Sequence, residues 1–167
     1  MPRKDQGVSN NRFRIIPRTL IFIQRGDRLL LIKGRPNKRL WANLYNGIGG
    51  HIERGEDVLS AARRELFEET GLTAADLWLC GVVMIDAGEE TGIGLFVFRG
   101  ETDQEDLTDS PEGQLEWVPV NHLSGLPLVE DLPILLPKVL QVNKGDSPFF
   151  ARYWYDENEK LNIEFSI

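Results

Sequence analysis

The feature that most constrains the fold is one long segment with the character of an amphipathic helix, residues 57–70. The segment is rich in helix-forming residues, and Gly71 follows it at a position where a left-handed residue ends many helices. At about 100° per residue, Leu59, Ala62 and Leu66 form an apolar stripe along the helix. This stripe must pack on another layer, so the sequence predicts a helix docked on a β-sheet.

The segments around this helix have the composition of β-strands. Short apolar runs are separated by turn-forming residues, as at residues 25–27. A second helix is predicted over residues 131–142, where Pro133 and Pro137 affect its start or its straightness. The predicted strands are residues 19–24, 29–33, 77–85, 93–98, 115–119, 149–155 and 161–167. Together these elements predict an α/β protein with a mixed sheet and helices on both faces.

The length of 167 residues suits a single domain. We expect residues 17–167 to form that domain and residues 1–16 to be a flexible N-terminal segment or an added strand. The single cysteine, Cys80, lies in an apolar stretch and excludes an internal disulfide. No apolar run reaches the ~20 residues of a membrane-spanning helix, and the N-terminus lacks a secretory signal. We therefore expect a cytoplasmic protein without a membrane partner.

The charge of the chain limits its partners. A formal net charge of −7 argues against a nucleic-acid polymer as partner, because phosphate contacts need clustered Lys and Arg. A small nucleotide remains compatible with this charge, since divalent cations can lie between carboxylates and phosphates. The sequence leaves open whether the protein is a monomer or a homodimer.

Three carboxylates share one face of the predicted central helix. Glu65, Glu68 and Glu69 stand at positions i, i+3 and i+4, where like charges destabilise an isolated helix by a few tenths of a kcal/mol per pair. A solvated acidic surface is the ordinary explanation of such a cluster. The alternative is a site for a hard divalent cation, which takes oxygen ligands.

The wider pattern favours the cation site. The segment from Gly50 to Leu72, GHIERGEDVLSAARRELFEETGL, resembles the Nudix box, Gly-x5-Glu-x7-Arg-Glu-apolar-x-Glu-Glu-x-Gly-apolar. Every specified position is filled, by Gly50, Glu56, Arg64, Glu65, Leu66, Glu68, Glu69, Gly71 and Leu72. The resemblance implies the Nudix fold, a mixed β-sheet in an α/β/α sandwich, and a hydrolase that cuts a pyrophosphate linkage with Mg²⁺ or Mn²⁺.

The resemblance also implies roles for individual residues. Glu56 and Arg64 brace the helix, and one box glutamate orients or deprotonates the attacking water. A further loop glutamate that binds metal or acts as base corresponds to Glu112, with Glu116 as the competing choice. The implied catalytic residues are Arg64, Glu65, Glu68, Glu69 and Glu112, and the implied metal ligands are Gly50, Glu65, Glu68, Glu69 and Glu112.

Residues 41–50 resemble the strand that leads into the box of MutT-type oxidised-purine nucleoside triphosphate diphosphatases. In those enzymes an Asn at the position of Asn46 contacts the purine, although Asn-Gly is also a turn dipeptide. An acidic pair that grips the base corresponds to Glu130 and Asp131, which a helix N-terminus would also favour. The Trp expected beside this pair is absent. Lys33 either points toward the pocket or ends a strand.

The function predicted first is Mg²⁺-dependent hydrolysis of a (d)NTP, with 8-oxo-dGTP among the candidates, to a nucleoside monophosphate and pyrophosphate. One alternative is hydrolysis of ADP-ribose or of a dinucleoside polyphosphate. Another is a regulatory module that binds a nucleotide without turnover, although such modules usually lose box glutamates.

Overall fold

The structure is a computed structural model that describes residues 2, 5–7, 12–37, 39–73, 76–88 and 90–166. Within these residues, eight strands, two α-helices and a 3-10 helix follow one another along the chain. The strands are β1 (Arg14–Arg25), β2 (Arg28–Gly34), β3 (Tyr45–Asn46), β4 (Asp76–Asp86), β5 (Thr91–Glu101), β6 (Gly113–Pro119), β7 (Phe149–Tyr155) and β8 (Leu161–Phe165). The helices are α1 (Val58–Thr70), the 3-10 helix (Val120–Gly125) and α2 (Leu132–Gln141).

These bounds agree with the predicted strands and helices to within a few residues at each end. The 3-10 helix was not predicted, and the short β3 lies within residues 41–50, where only the family resemblance indicated a strand. One boundary is corrected: β1 begins at Arg14, so residues 14–16 pair with β5 and belong to the sheet. Most of the rest of the predicted N-terminal segment lies outside the described residues, as does Ile167 at the end of β8.

The sheet is mixed. Its order is β3-β2-β1-β5-β4-β7-β8, with β6 paired to β2. The pairs β1–β5 and β4–β7 are parallel, and the other strand pairs are antiparallel. Segment 48–52 continues beyond β3 along β1, where Ile48 exchanges backbone hydrogen bonds of 2.7 and 3.1 Å with Ile21. The N-terminal side of the predicted box is therefore attached directly to the sheet.

Each face of the sheet carries its own core. Alternate residues of β1 show the division, because successive side chains of a strand point to opposite faces. Ile21 and Ile23 pack with the apolar side of α1, on what we call the α1 face. Leu20 and Phe22 pack with α2, on what we call the α2 face. The predicted arrangement of helices on both faces is confirmed.

Arg99 anchors the end of α2 to the sheet. This residue is only 7% exposed, and its guanidinium donates to the carbonyl oxygens of Leu140 at 3.0 Å and Val142 at 3.1 Å. It also donates to Gln24 Oε1 at 2.7 Å, and Trp78 Nε1 donates to Val142 O at 3.1 Å. A cation at a helix C-terminus satisfies carbonyls that lack partners within the helix.

Within the described residues, no helix has both the length and the apolar character that crossing a membrane takes.

Candidate active site

Both ends of α1 are capped. Asp57 is the N-cap, and its Oδ1 accepts from the backbone N–H groups of Leu59 at 2.9 Å and Ser60 at 3.0 Å. The Ser60 hydroxyl donates to the other oxygen, and these bonds lower the pKa of Asp57, the hydroxyl most strongly. At the other end, Gly71 has φ 74° and donates to Phe67 O at 2.8 Å, as a left-handed cap does. The caps set where the helix starts and stops, and so which loops its carboxylates meet.

Arg64 joins three carboxylates of the box. Its Nε and Nη2 donate to the two oxygens of Glu56 at 2.6 and 2.9 Å. Its Nη1 donates to Glu65 at 2.8 Å and to Glu68 at 3.1 Å, and its Nη2 also donates to His51 O at 3.0 Å. A forked, two-bond pairing of guanidinium and carboxylate fixes orientation as well as charge. Arg64 therefore ties α1 to the loop that precedes it.

The same bonds change the titration of the pair. The Arg64 guanidinium, together with the Glu53 backbone N–H, lowers the pKa of Glu56 to about 2. In turn, Glu56 and then Glu65 raise the pKa of Arg64. Both partners therefore remain charged across the neutral range.

Gly50 brings the backbone against the carboxylate of Glu65. A β-carbon at Gly50 would lie 2.5 Å from Cδ and Oε1 of Glu65, so only glycine fits without displacing that side chain. Thr19 N donates to Gly50 O at 2.9 Å, which holds this backbone on β1. The main chain of Gly50 and the carboxylate of Glu65 are thus neighbours, and a backbone carbonyl and a carboxylate are both oxygen donors of the kind that Mg²⁺ takes.

The carboxylates of α1 differ in exposure. The side chain of Glu65 is 13% exposed and that of Glu68 is 56% exposed. In the part of the chain that the structure describes, no group of three or more His, Cys, Asp or Glu side chains is arranged to hold a metal ion. Glu65 and Glu68 are instead bonded to Arg64. The metal-ligand assignments of Gly50, Glu65, Glu68, Glu69 and Glu112 therefore stay predictions, which the chemistry of the donors fits.

The two competing glutamates near β6 lie in different surroundings. The irregular segment before β6 packs on the end of α1, where Thr108 N donates to Thr70 O at 2.9 Å. Glu112 follows on this segment and is exposed. Glu116 is within β6 and accepts from the Tyr45 hydroxyl at 2.8 Å, among residues of the α2 face. The fold thus separates Glu116 from α1, while the segment of Glu112 contacts that helix.

Asn46 lies at the end of β3. Its Oδ1 accepts from Gly47 N at 2.8 Å, a local bond to the next residue, and the chain has no turn at this dipeptide but runs on from β3 into segment 48–52. Lys33 pairs with Tyr45 across β2 and β3, and its Nζ lies 5.4 Å from the centre of the Tyr45 ring. Lys33 and Arg35 also line an open cavity of about 740 Å³ between β2 and the segment before β6. Two cations thus border a cleft large enough for a nucleotide's phosphates.

The acidic pair, Glu130 and Asp131, directly follows a segment that is hydrogen-bonded to β3. Tyr45 N donates to Pro127 O at 2.9 Å, and Val129 N donates to Tyr45 O at 3.0 Å. Asp131 is the N-cap residue of α2, yet its side chain makes no capping hydrogen bond. Burial, and then the charge of Glu130, raise the pKa of Asp131. Asp131 is therefore a desolvated acid without the ordinary capping role, whereas Glu130 is exposed.

Comparison with known families decides the identity of this site. A family model described as the NUDIX domain matches residues 15–139. This chain belongs to the Nudix family. The family generally uses Mg²⁺ or Mn²⁺ and acts on nucleotide substrates, and this chain is a Nudix hydrolase.

Individual relatives agree with this assignment. The chain is 30% identical over 150 residues to the oxidized purine nucleoside triphosphate hydrolase of Danio rerio, covering 89% of this chain and 92% of the relative. The MutT protein of Bacillus halodurans has the same fold, with a TM-score of 0.76, 24% identity and coverage of 90% and 97%. The NUDIX domain of Shewanella oneidensis NrtR, solved in complex with ADP ribose, gives a TM-score of 0.68 at 13% identity, over 84% and 98%. The predicted Nudix fold is confirmed.

Some residues of this site were missed by the sequence reasoning. Tyr45 bonds Glu116 and stacks near Lys33, and Arg35 lines the cavity, but none of these contacts is local in sequence. The Asp57 cap could have been found, because Asp is a preferred N-cap residue and here comes directly before the apolar stripe of the helix.

Proposed function

We propose that this Nudix hydrolase converts a purine nucleoside triphosphate, with oxidised purines among its substrates, to the nucleoside monophosphate and pyrophosphate. The observation that carries the proposal is the contact of Gly50 with Glu65 beside the Arg64 network, next to β3. It places the oxygen donors of the box beside the strand that carries Asn46. The similarity to an enzyme that hydrolyses oxidized purine nucleoside triphosphates supports the substrate class.

The residues proposed to hold the cation are the box carboxylates Glu65, Glu68 and Glu69, with the Gly50 carbonyl and Glu112. When bound, Mg²⁺ or Mn²⁺ neutralises charge on the diphosphate and lowers the pKa of a bound water. Arg64 holds Glu65 and Glu68 in fixed positions, so that the carboxylates need little reorganisation during the reaction.

The reaction is a hydrolysis of the α–β phosphoanhydride. Water adds at one of its two phosphorus atoms, the bridging P–O bond breaks, and nucleoside monophosphate and pyrophosphate leave. A box carboxylate takes the proton of the water, which is general-base catalysis. Lys33 binds negative charge of the phosphates from the cavity beside β2. Asn46, whose Oδ1 accepts from Gly47 N, has its amide N–H groups for a base, and Asp131 supplies the acidic partner.

Product analysis tests this proposal. The protein is incubated with Mg²⁺ and, separately, dGTP, 8-oxo-dGTP or ADP-ribose, and products are separated by ion-exchange chromatography. We expect monophosphate and pyrophosphate from the triphosphates. Release of diphosphate and orthophosphate, or turnover of ADP-ribose alone, would contradict the proposal. Binding of all three without turnover, in Mg²⁺ and in Mn²⁺, would identify a regulatory binding module. The Glu68→Gln variant is the control for a contaminating hydrolase.

A further inference from the structure

The segment that connects β5 to β6, residues 102–112, has no helix or strand of its own. Its middle is attached to α1, where Thr108 N donates to Thr70 O at 2.9 Å. A segment without the hydrogen-bond ladder of a strand keeps one place only where individual bonds of this kind hold it. Glu112 is the last residue of the segment, so its position depends on how residues 109–112 are held.

Arg35 holds this last part of the segment through its backbone. Arg35 is the residue after β2, and its Nη2 donates to Ser110 O at 3.2 Å. Ser110 is buried, at 4% exposed, and its Oγ accepts from Glu112 N at 3.1 Å. A bond from a backbone N–H to the hydroxyl of the residue two positions earlier closes a local turn. Two hydrogen bonds thus lead from Arg35 to the backbone of Glu112.

The register of the sheet explains why Arg35 reaches this segment. β2 and β6 are antiparallel, and their last pair at this end is Gly34 with Gly113. Arg35 follows Gly34 and Glu112 precedes Gly113, so each is the first residue beyond the paired strands. A β-carbon at Gly113 would lie 2.2 Å from Lys33 O, so glycine there lets the two backbones come close. The chain therefore enters β6 directly beside the backbone that leads to Arg35.

We propose that Arg35 is a positioning residue, which acts through Ser110 to fix Glu112 in the place from which this carboxylate serves the reaction. The inference rests on the proposed function, because it takes Glu112 to hold the cation or to accept a proton. Arg35 also lines the open cavity beside β2, so a direct contact with a substrate phosphate is the competing role. A positioning role requires Glu112, whereas a phosphate contact does not.

A double-mutant cycle with Mg²⁺ and dGTP separates the two roles. Arg35→Met removes the bond to Ser110 O, and Ser110→Ala removes the acceptor of Glu112 N. We expect each to lower kcat about three- to tenfold, as the loss of one hydrogen bond does, with little change in KM. In an enzyme that already carries Glu112→Gln, neither should lower kcat further. Arg39→Met, at an exposed arginine of the loop after β2, is the matched control and should behave like the parent.

Two kinetic results would overturn the proposal. An equal loss from Arg35→Met in both backgrounds, with a raised KM, would identify a phosphate contact instead. A parent-like kcat of Arg35→Met, where Glu112→Gln is impaired, would show that Glu112 does not depend on Arg35. If Glu112→Gln itself turns over like the parent, the role of Glu112 in the proposed function is wrong, and the positioning proposal falls with it.

Amide hydrogen exchange tests the same bonds without substrate or metal, so it still reports on Arg35 if triphosphates are not hydrolysed. NMR measures the exchange rate of the Glu112 N–H. We expect this rate to rise about three- to tenfold in Arg35→Met and in Ser110→Ala, because the end of the segment opens more often. The Thr108 N–H, bonded to Thr70 O, should keep the parent's rate, which shows that the variants are folded. An unchanged rate at Glu112 in Arg35→Met would overturn the proposal.

Discussion

Arg64 is the residue on which the geometry of the box carboxylates depends. Its guanidinium makes two bonds to Glu56 and one each to Glu65 and Glu68. Lysine carries the same charge but lacks the planar, forked arrangement of donors in a guanidinium, so it can keep only some of these hydrogen bonds. We expect Arg64→Lys to lower kcat at least about tenfold, a loss of ~1.4 kcal/mol of transition-state stabilisation. Steady-state kinetics measure it, and a kcat equal to the parent's would contradict a positioning role for Arg64.

Gly50 is the second residue at which a small change should have a large effect. Alanine there would place a methyl group 2.5 Å from the Glu65 carboxylate and push it away from Gly50 O. We expect Gly50→Ala to raise the Mg²⁺ concentration needed for half-maximal activity and to lower kcat. Gly125→Ala is the matched control, because a β-carbon there meets nothing within 4 Å. Equal effects of the two substitutions would refute the importance of this contact.

The Glu56–Arg64 pair gives a stability that depends on pH. The pKa of Glu56 is lowered from its ordinary 4.5 to about 2, first by Arg64 and then by Glu53 N–H. A carboxyl whose pKa is lower in the folded than in the unfolded protein stabilises the fold fully when the pH is above its unfolded-state pKa. This stabilisation is lost as the pH falls through its folded-state pKa. The difference in Tm between the parent and Glu56→Gln should be constant from pH 7 to pH 5 and shrink between about pH 4.5 and pH 2. A difference in Tm that does not change with pH would show that the charge of Glu56 does not stabilise the folded protein.

At the scale of helices and strands, the sequence predicts those elements whose ends and apolar patterns are set by neighbouring residues. The cap of α1 at Gly71 and the apolar run of β1 before the turn at residues 25–27 are local signals, and the structure confirms the helix and the strand. β3 was indicated only by the family resemblance of residues 41–50, because two residues carry no periodicity and Tyr45–Asn46 is a strand only through its pairing with β2. Contacts between side chains are likewise not visible in local sequence patterns. The pairing of Arg64 with Glu56 was expected only from the family resemblance. The Tyr45–Glu116 hydrogen bond, between residues 71 positions apart in the chain, could not be predicted.

Helix α2 owes its attachment to one buried arginine. Replacing Arg99 by Met would leave Leu140 O without this donor and break the bond to Gln24, while Trp78 still serves Val142 O. An unsatisfied buried group costs roughly 1–3 kcal/mol, so the free energy of unfolding should fall by about that amount. Urea denaturation measures the change. Arg28→Met, at an exposed site, should stay within about 0.5 kcal/mol of the parent. A loss at Arg99 no larger than that would contradict the anchoring role.

At the scale of the whole molecule, the sheet divides the site between its two faces. Glu65 of α1 meets Gly50, and the C-terminal end of α1 meets the segment before Glu112, whereas Glu116 and Asp131 belong with the α2 face. Residues 45–50 connect the two sides. Chemistry and specificity can then be altered separately by substitution.

This division leads to a prediction about the loop and strand glutamates. Glu112 follows the segment bonded to the end of α1, and Glu116 is bonded by Tyr45 on the other face. We expect Glu68→Gln and Glu69→Gln each to lower kcat by orders of magnitude, and Glu112→Gln to lower it less.

Glu116→Gln should leave kcat nearly unchanged, since its amide can still accept from the Tyr45 hydroxyl and it lies away from the box. Activity of all four variants is measured at saturating Mg²⁺ and again in excess chelator, where the parent should be inactive because the clustered carboxylates would repel the substrate's phosphates. A larger loss at Glu116 than at Glu112 would mean that the catalytic carboxylate of this region acts from the strand. The assignment of Glu112 would then be wrong, and the two faces would share the chemistry that the fold otherwise keeps apart.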